Sequence, residues 1–229
     1  MAWPHFRADF GQFIARLGVK RRENDADPRL FERFEKTLLD GVRFDAPARL
    51  RMPSRFTDEV LLRQWDQADY QSVDHRLLVW ASLFQNQLRK LGIPVFVHNA
   101  FRTKEQQLAA KLAGHSKTTW PNGPHCIGEA VDIVHSRFAW EMTVGEWSFL
   151  HKVGRDVLQR LNSISPASSR LFLVWGGDWD GDGDLYDSSL FDPAHWQIAD
   201  YRSRIRKIEP GPRLRYTPRG FLAKYGAVF

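Results

Sequence analysis

The chain has one cysteine, Cys126, in 229 residues, which excludes an intrachain disulfide and leaves packing as the source of stability. No apolar run approaches the roughly 18 residues that span a bilayer. The opening Met1-Ala2-Trp3-Pro4-His5-Phe6-Arg7 has no basic stretch, apolar run or small-residue cleavage site, so the reading predicts synthesis in the cytoplasm without a signal peptide. No strand is followed by a glycine-rich phosphate loop, which argues against a doubly wound nucleotide binder. Repeats and low-complexity tracts are also missing.

What the chain does have is aromatic: nine Trp and 16 Phe within an otherwise ordinary composition, 43% hydrophobic and 26% charged. The surplus suggests an aromatic core, or a cleft for flat or sugar-like faces. Net charge is +6, and the excess is uneven. Beyond residue 201, Arg202, Arg204, Arg206, Lys207, Arg213, Arg215, Arg219 and Lys224 are opposed only by Glu209. Such a tail suits phosphate-bearing polymers, whether nucleic acid, teichoic acid or lipopolysaccharide, with a solvated surface as the plain alternative. No recognition motif accompanies the charge, so nucleic acid is not expected as a partner.

Periodicity divides the chain into a helical N-terminal region over 1–70, a chemistry-bearing domain over 71–205 and a basic tail over 206–229. Within the first, Leu30, Phe31, Phe34 and Leu38 recur at helical spacing. From Val73 to Leu91, Leu77, Trp80, Ala81, Phe84 and Leu88 form one helical stripe, ended by Gly92 and Pro94. Residues 94–100 read as a strand, and Thr103 with Gln106 reads as a capping box opening a helix through Leu112. Strands are expected at 129–135, 171–175 and 195–198, with a second amphipathic helix over 145–161. Short strands irregularly mixed with helices predict an α+β domain with a small, mainly antiparallel sheet flanked by helices.

Two clusters carry the chemistry. Gly123-Pro-His125-Cys-Ile-Gly128-Glu-Ala-Val-Asp132 offers an imidazole just before a strand, and a carboxylate seven residues later on the face shared by Ala130 and Val134. A carboxylate among such neighbours is costly to bury unless paired or metal-bound. The second cluster, Asp192-Pro-Ala-His195, places a carboxylate in a turn leading into a strand. Three N/O ligands with an open position make a catalytic zinc shell, and the fourth group can then serve as general base. A turn-capping aspartate and a core histidine are the structural alternatives for the second pair.

The first cluster resembles the Ser-x-His-x-x-Gly-x-Ala-x-Asp signature of the zinc D-alanyl-D-alanine carboxypeptidases and dipeptidases, and still more their relatives, the L-alanyl-D-glutamate endopeptidases used as phage endolysins. Phe101-Arg102-Thr103-Lys104-Glu105-Gln106-Gln107 is similar to the family's arginine-bearing segment, and Trp175-Gly-Gly-Asp-Trp179 followed by Asp192-Pro-Ala-His195-Trp196 to its closing elements. The resemblance covers roughly residues 75–200. It implies a hedgehog/DD-peptidase-like fold and Zn2+ held by His125, Asp132 and His195. Asp192 would be the general base for zinc-bound water, and Arg102 would bind a substrate carboxylate or the developing oxyanion. The implied substrate is an amide of the peptidoglycan stem peptide, reached at the bacterial cell wall after holin release or from a virion. A carboxypeptidase or dipeptidase, or a non-catalytic wall-binding virion component, are the alternatives. Gly123 stands where the family has serine, so any hydrogen bond from that hydroxyl is missing. Trp196 replaces a commoner phenylalanine.

Four further features have more than one reading. Trp179 and Trp196 read as substrate-binding cleft residues, with core packing the alternative. Asp178, Asp180 and Asp182 match the start of a calcium loop, but Ser189 stands where glutamate is expected; a solvated acidic turn is the favoured reading and Ca2+ the alternative. Cys126, beside a ligand, would close the site if it bound the metal and is therefore not expected to do so. His98, His115, His135 and His151 lack such partners in sequence and read as surface or supporting groups.

Overall fold

A computed structural model describes residues 44–69, 72–185 and 190–206. The stripe residues Leu30 to Leu38, Ser189 and the tail beyond Arg206 lie outside them. The elements run α1 (Asp58–Gln67), α2 (His75–Lys90), β1 (Val95–Asn99), α3 (Lys104–Leu112), β2 (Ala130–His135), α4 (Val144–Ile164), β3 (Leu173–Trp175), β4 (His195–Ile198) and α5 (Tyr201–Arg206). The fold is α+β, with one four-stranded sheet in the order β1-β2-β4-β3 and every pairing antiparallel.

Local signals account for the helix ends. Asp74 caps α2 by accepting from Arg76 N at 2.9 Å. Thr103 and Gln106 form the expected capping box of α3. A second box, Thr143 with Glu146, starts α4, which runs to Ile164 rather than Leu161. β3 begins two residues later than expected because Asn162 takes Leu171 out of the ladder: its side chain accepts from Leu171 N at 2.9 Å and donates to Leu171 O at 2.7 Å.

Strand alternation separates a packed face from a working face. Val131, Ile133 and Trp196 belong to the core with α2 and α4; Trp80, Phe84 and Trp196 pack with ring centroids 4.8 to 5.9 Å apart, and Trp80 Nε1 donates to Gly154 O of α4 at 3.1 Å. Trp196 is thus corrected from a cleft residue to a core residue, because its ring points away from the side occupied by His195. Leu50 and Ala68 join the same core, so the stretch just before residue 70 packs with the domain rather than apart from it. His135 is a core group as well, fully buried with Nε2 donating to Leu50 O at 2.8 Å. Among the described residues no helix is long and apolar enough to cross a membrane.

Candidate metal centre and cleft

The working face gathers the two clusters through backbone pairing. Asp132 of β2 pairs across to Asn99 on one side and His195 on the other. The register of β1 slips between Val97 and Asn99, and this irregularity turns Asn99 toward Asp132. His125 sits in the 3-10 turn Pro124–Ile127, closed by Gly128 at φ +70°. A Cβ on Gly128 would lie 1.9 Å from Ser72 O, so only glycine permits both the left-handed turn and that close approach. Arg102 N donates to His125 O at 3.0 Å, which ties the arginine segment to this turn. On the other side, His195 N donates to Asp192 O at 3.0 Å, and Trp175 Nε1 donates to Pro193 O at 2.8 Å, fixing the Asp-Pro-Ala-His loop.

Three atoms converge at the centre. His125 Nε2 is 3.1 Å from Asp132 Oδ1 and 3.2 Å from His195 Nδ1, and His195 Nδ1 is 2.9 Å from Asp132 Oδ1. The outer nitrogens have acceptors: His125 Nδ1 donates to Ala100 O at 2.6 Å, and His195 Nε2 donates to Gln197 Oε1 at 3.1 Å. Those bonds leave the inner nitrogens with lone pairs facing a carboxylate oxygen. Three acceptors so close repel one another unless a cation sits among them. The two-nitrogen, one-oxygen set and its bound outer atoms fit a metal ion.

The electrostatics agree. Burial opposes ionisation of Asp132, yet His125 and then His195 hold its carboxyl well below the usual carboxylate range. Burial lowers His125, whereas for His195 the hydrogen bond and charge of Asp132 overcome burial and raise the imidazole. The second oxygen of Asp132 accepts from Asn99 Nδ2 at 3.2 Å and Arg102 Nη2 at 3.3 Å.

A cleft of about 630 Å³ opens over this centre, with Arg102, Asp192 and Trp179 among its walls. Burial and then the charge of Asp132 raise the Asp192 carboxyl above its ordinary value, which makes its carboxylate a stronger base than an exposed one. Trp179 lies beside His195, ring centroids 5.5 Å apart, and its Nε1 donates to Leu190 O at 2.5 Å. Cys126 lies outside the converging group; it is buried, and burial pushes its thiol up to about 11.

The acidic loop also converges, with oxygens of Asp178, Asp180 and Asp182 within 4.8 Å of one another. Asp178 already accepts from Gly181 N at 2.8 Å and Gly183 N at 3.2 Å, and Asp182 from Asp184 N at 2.8 Å. These bonds are those of a self-capped acidic turn. Arg204, read in sequence with the basic tail, is instead paired with the buried Glu129, Nε to Oε2 at 2.5 Å, and is withdrawn from outside anions.

Sequence reasoning passed over three residues at this site. Asn99 and Gln197 brace it, and Gln107 lines the cleft beside the capping-box Gln106. Strand alternation could have found Gln197, two residues after His195 on the same face; Asn99 depends on a register slip with no sequence signal.

No protein-family model matches the chain. Over 90 residues, 39% of its length, the chain is 31% identical to an L-alanyl-D-glutamate peptidase of Listeria phage A118, and the match spans 28% of that relative. The fold is similar to the crystal structure of Serratia marcescens L-Ala D-Glu endopeptidase ChiX, with a TM-score of 0.43 and 22% identity over 61% of this chain and 90% of that one. The phage relative and the motif pattern thus agree on one family resemblance, to the L-alanyl-D-glutamate peptidases.

Proposed function

We propose that the chain is a zinc-dependent peptidase that hydrolyses an amide bond in the peptidoglycan stem peptide, at an L-alanyl-D-glutamate linkage. The observation that carries this reading is the triangle of His125 Nε2, Asp132 Oδ1 and His195 Nδ1, with edges of 2.9 to 3.2 Å beneath a cleft walled by Asp192. Ligands of one tetrahedral zinc stand at about this separation when each bond is roughly 2.0–2.1 Å.

A zinc ion held by these three residues would polarise the scissile carbonyl and make a water acidic enough to attack it near neutral pH. Asp192, its carboxyl raised by burial, accepts the proton from the attacking water and returns it to the leaving amine. Arg102 remains fixed beside Asp132, and its other N–H groups can hold a substrate carboxylate or the oxyanion that develops. Trp179 forms an apolar wall for the peptide. The substrate lies in the wall, so the protein acts there; the residues beyond 206 add cations suited to anionic envelope polymers.

Digestion of defined muropeptides followed by mass spectrometry tests the reading. New N-terminal D-glutamyl products are expected. Release of terminal D-alanine alone would move the assignment to a carboxypeptidase, and tight wall binding with every bond intact would make it a binding protein.

A further inference from the structure

The motif comparison leaves a gap at Gly123, and the structure shows what occupies it. A Cβ built on Gly123 would lie 2.7 Å from Thr118 Oγ1, closer than any other surrounding atom. The backbone at Gly123 is ordinary extended chain, φ −93° and ψ 150°, so conformation does not demand glycine there. The Thr118 hydroxyl, which arrives from the loop after α3, fills the space where a serine side chain would begin and would have to move to admit one.

That hydroxyl is held in place and keeps its proton. Gln107 Nε2 donates to Ser116 Oγ at 2.8 Å, to Thr118 O at 2.9 Å and to Thr118 Oγ1 at 3.2 Å. The two hydroxyl oxygens are 3.3 Å apart. Ser116 Oγ accepts from Gln107 Nε2 and also from Thr118 N at 3.3 Å, which uses both of its lone pairs, so its own proton runs to Thr118 Oγ1 and the Thr118 proton remains for the cleft, whose wall includes Ser116, Thr118 and Gly123. The geometry points to Thr118 as a substrate-binding residue, whose hydroxyl reaches the cleft through the space that a side chain at 123 would take. Its partner is an oxygen acceptor of the bound peptide, a carbonyl or carboxylate. Thr118 and Gly123 are therefore a coupled pair: threonine at 118 requires glycine at 123, and serine at 123 requires a small residue at 118. This inference rests on the peptidase reading for the identity of the substrate, but not for the coupling.

A reciprocal swap tests it, read as thermal midpoint, as kcat/KM on a defined muropeptide, and as binding of the uncleaved muropeptide to the same chains carrying Asp192→Asn. Thr118→Val should keep the thermal midpoint, because Gln107 retains Ser116 Oγ and Thr118 O. It should lower kcat/KM and affinity roughly tenfold, the effect of one hydrogen bond. Gly123→Ser should lower the midpoint through the clash. Thr118→Ala combined with Gly123→Ser should recover the midpoint and bring affinity back to within about threefold of the original, the scatter expected of a relocated bond. Full affinity in Thr118→Val overturns the role of the hydroxyl. A double variant no better than Thr118→Ala in affinity, or no more stable than Gly123→Ser, overturns the exchange. A parent chain that binds the muropeptide yet cleaves nothing counts against the peptidase reading and leaves the swap readable by binding and midpoint.

Discussion

Gln197 Oε1 holds Nε2–H of His195, and the carbonyl of Ala100 holds Nδ1–H of His125. Opposite ring nitrogens are thus presented inward, Nδ1 from one histidine and Nε2 from the other, and each tautomer is set by a bond on the far side of the ring. Gln197→Leu keeps the volume close but removes the acceptor. It should weaken zinc binding about 10- to 100-fold, measured by competition with a chromophoric chelator. Unchanged affinity would mean that packing alone orients the ring. His125, Asp132 and His195 were singled out in sequence by their residue types together with the motif resemblance, and the fold brings the three together. Trp196 was placed in the cleft, yet the period-2 rule applied to Asp132 also separates it from His195. Arg204 was misread because a run of charge says nothing of a buried partner such as Glu129, distant in sequence.

At the scale of elements, the turn carrying His125 depends on Gly128, whose carbonyl accepts from Asp74 N at 2.7 Å as the chain passes the start of α2. Gly128→Ala would combine a strained φ with a collision against Ser72 O. It should destabilise the fold by about 2–4 kcal/mol and weaken metal binding, checked by urea denaturation and zinc titration. A variant as stable as the parent would show that the turn can relax. Helices α2, α3 and α4 were legible because stripes and capping boxes are local. The pairing of β2 with β4 was not, since nothing in either segment encodes its register with a partner sixty residues away. The slip at Asn99 belongs to that class: it arises in the assembled sheet, not in the strand.

At the scale of the whole molecule, several of the described aromatic residues form a core that backs the candidate metal centre. His151 stacks on Trp175 at 4.1 Å and 9°, next to Trp196, so the strand carrying His195 rests on a continuous ring layer. Burial lowers the His151 imidazole from 6.5 to about 4; Arg155 adds to the effect and Asp178 opposes it. A folded-state pKa below the unfolded one contributes stability above pH 6.5, and that stability is lost as pH falls toward 4. Relative to the parent, His151→Phe should lose less stability between those limits, by on the order of 2 kcal/mol in denaturant titrations at each pH. An identical pH dependence would mean that the ring is as free to ionise as in the unfolded chain. The central claim is a division of labour: His125, Asp132 and His195 hold the metal, and Asp192 moves the proton. Metal content and muropeptide turnover, measured together on the parent, His125→Ala and Asp192→Asn, test it most directly. The account predicts about one zinc per parent chain, loss of both metal and turnover in His125→Ala, and retained metal with turnover reduced about 10²–10⁴-fold in Asp192→Asn. Full turnover in Asp192→Asn, or zinc retained at parent affinity in His125→Ala, would contradict it.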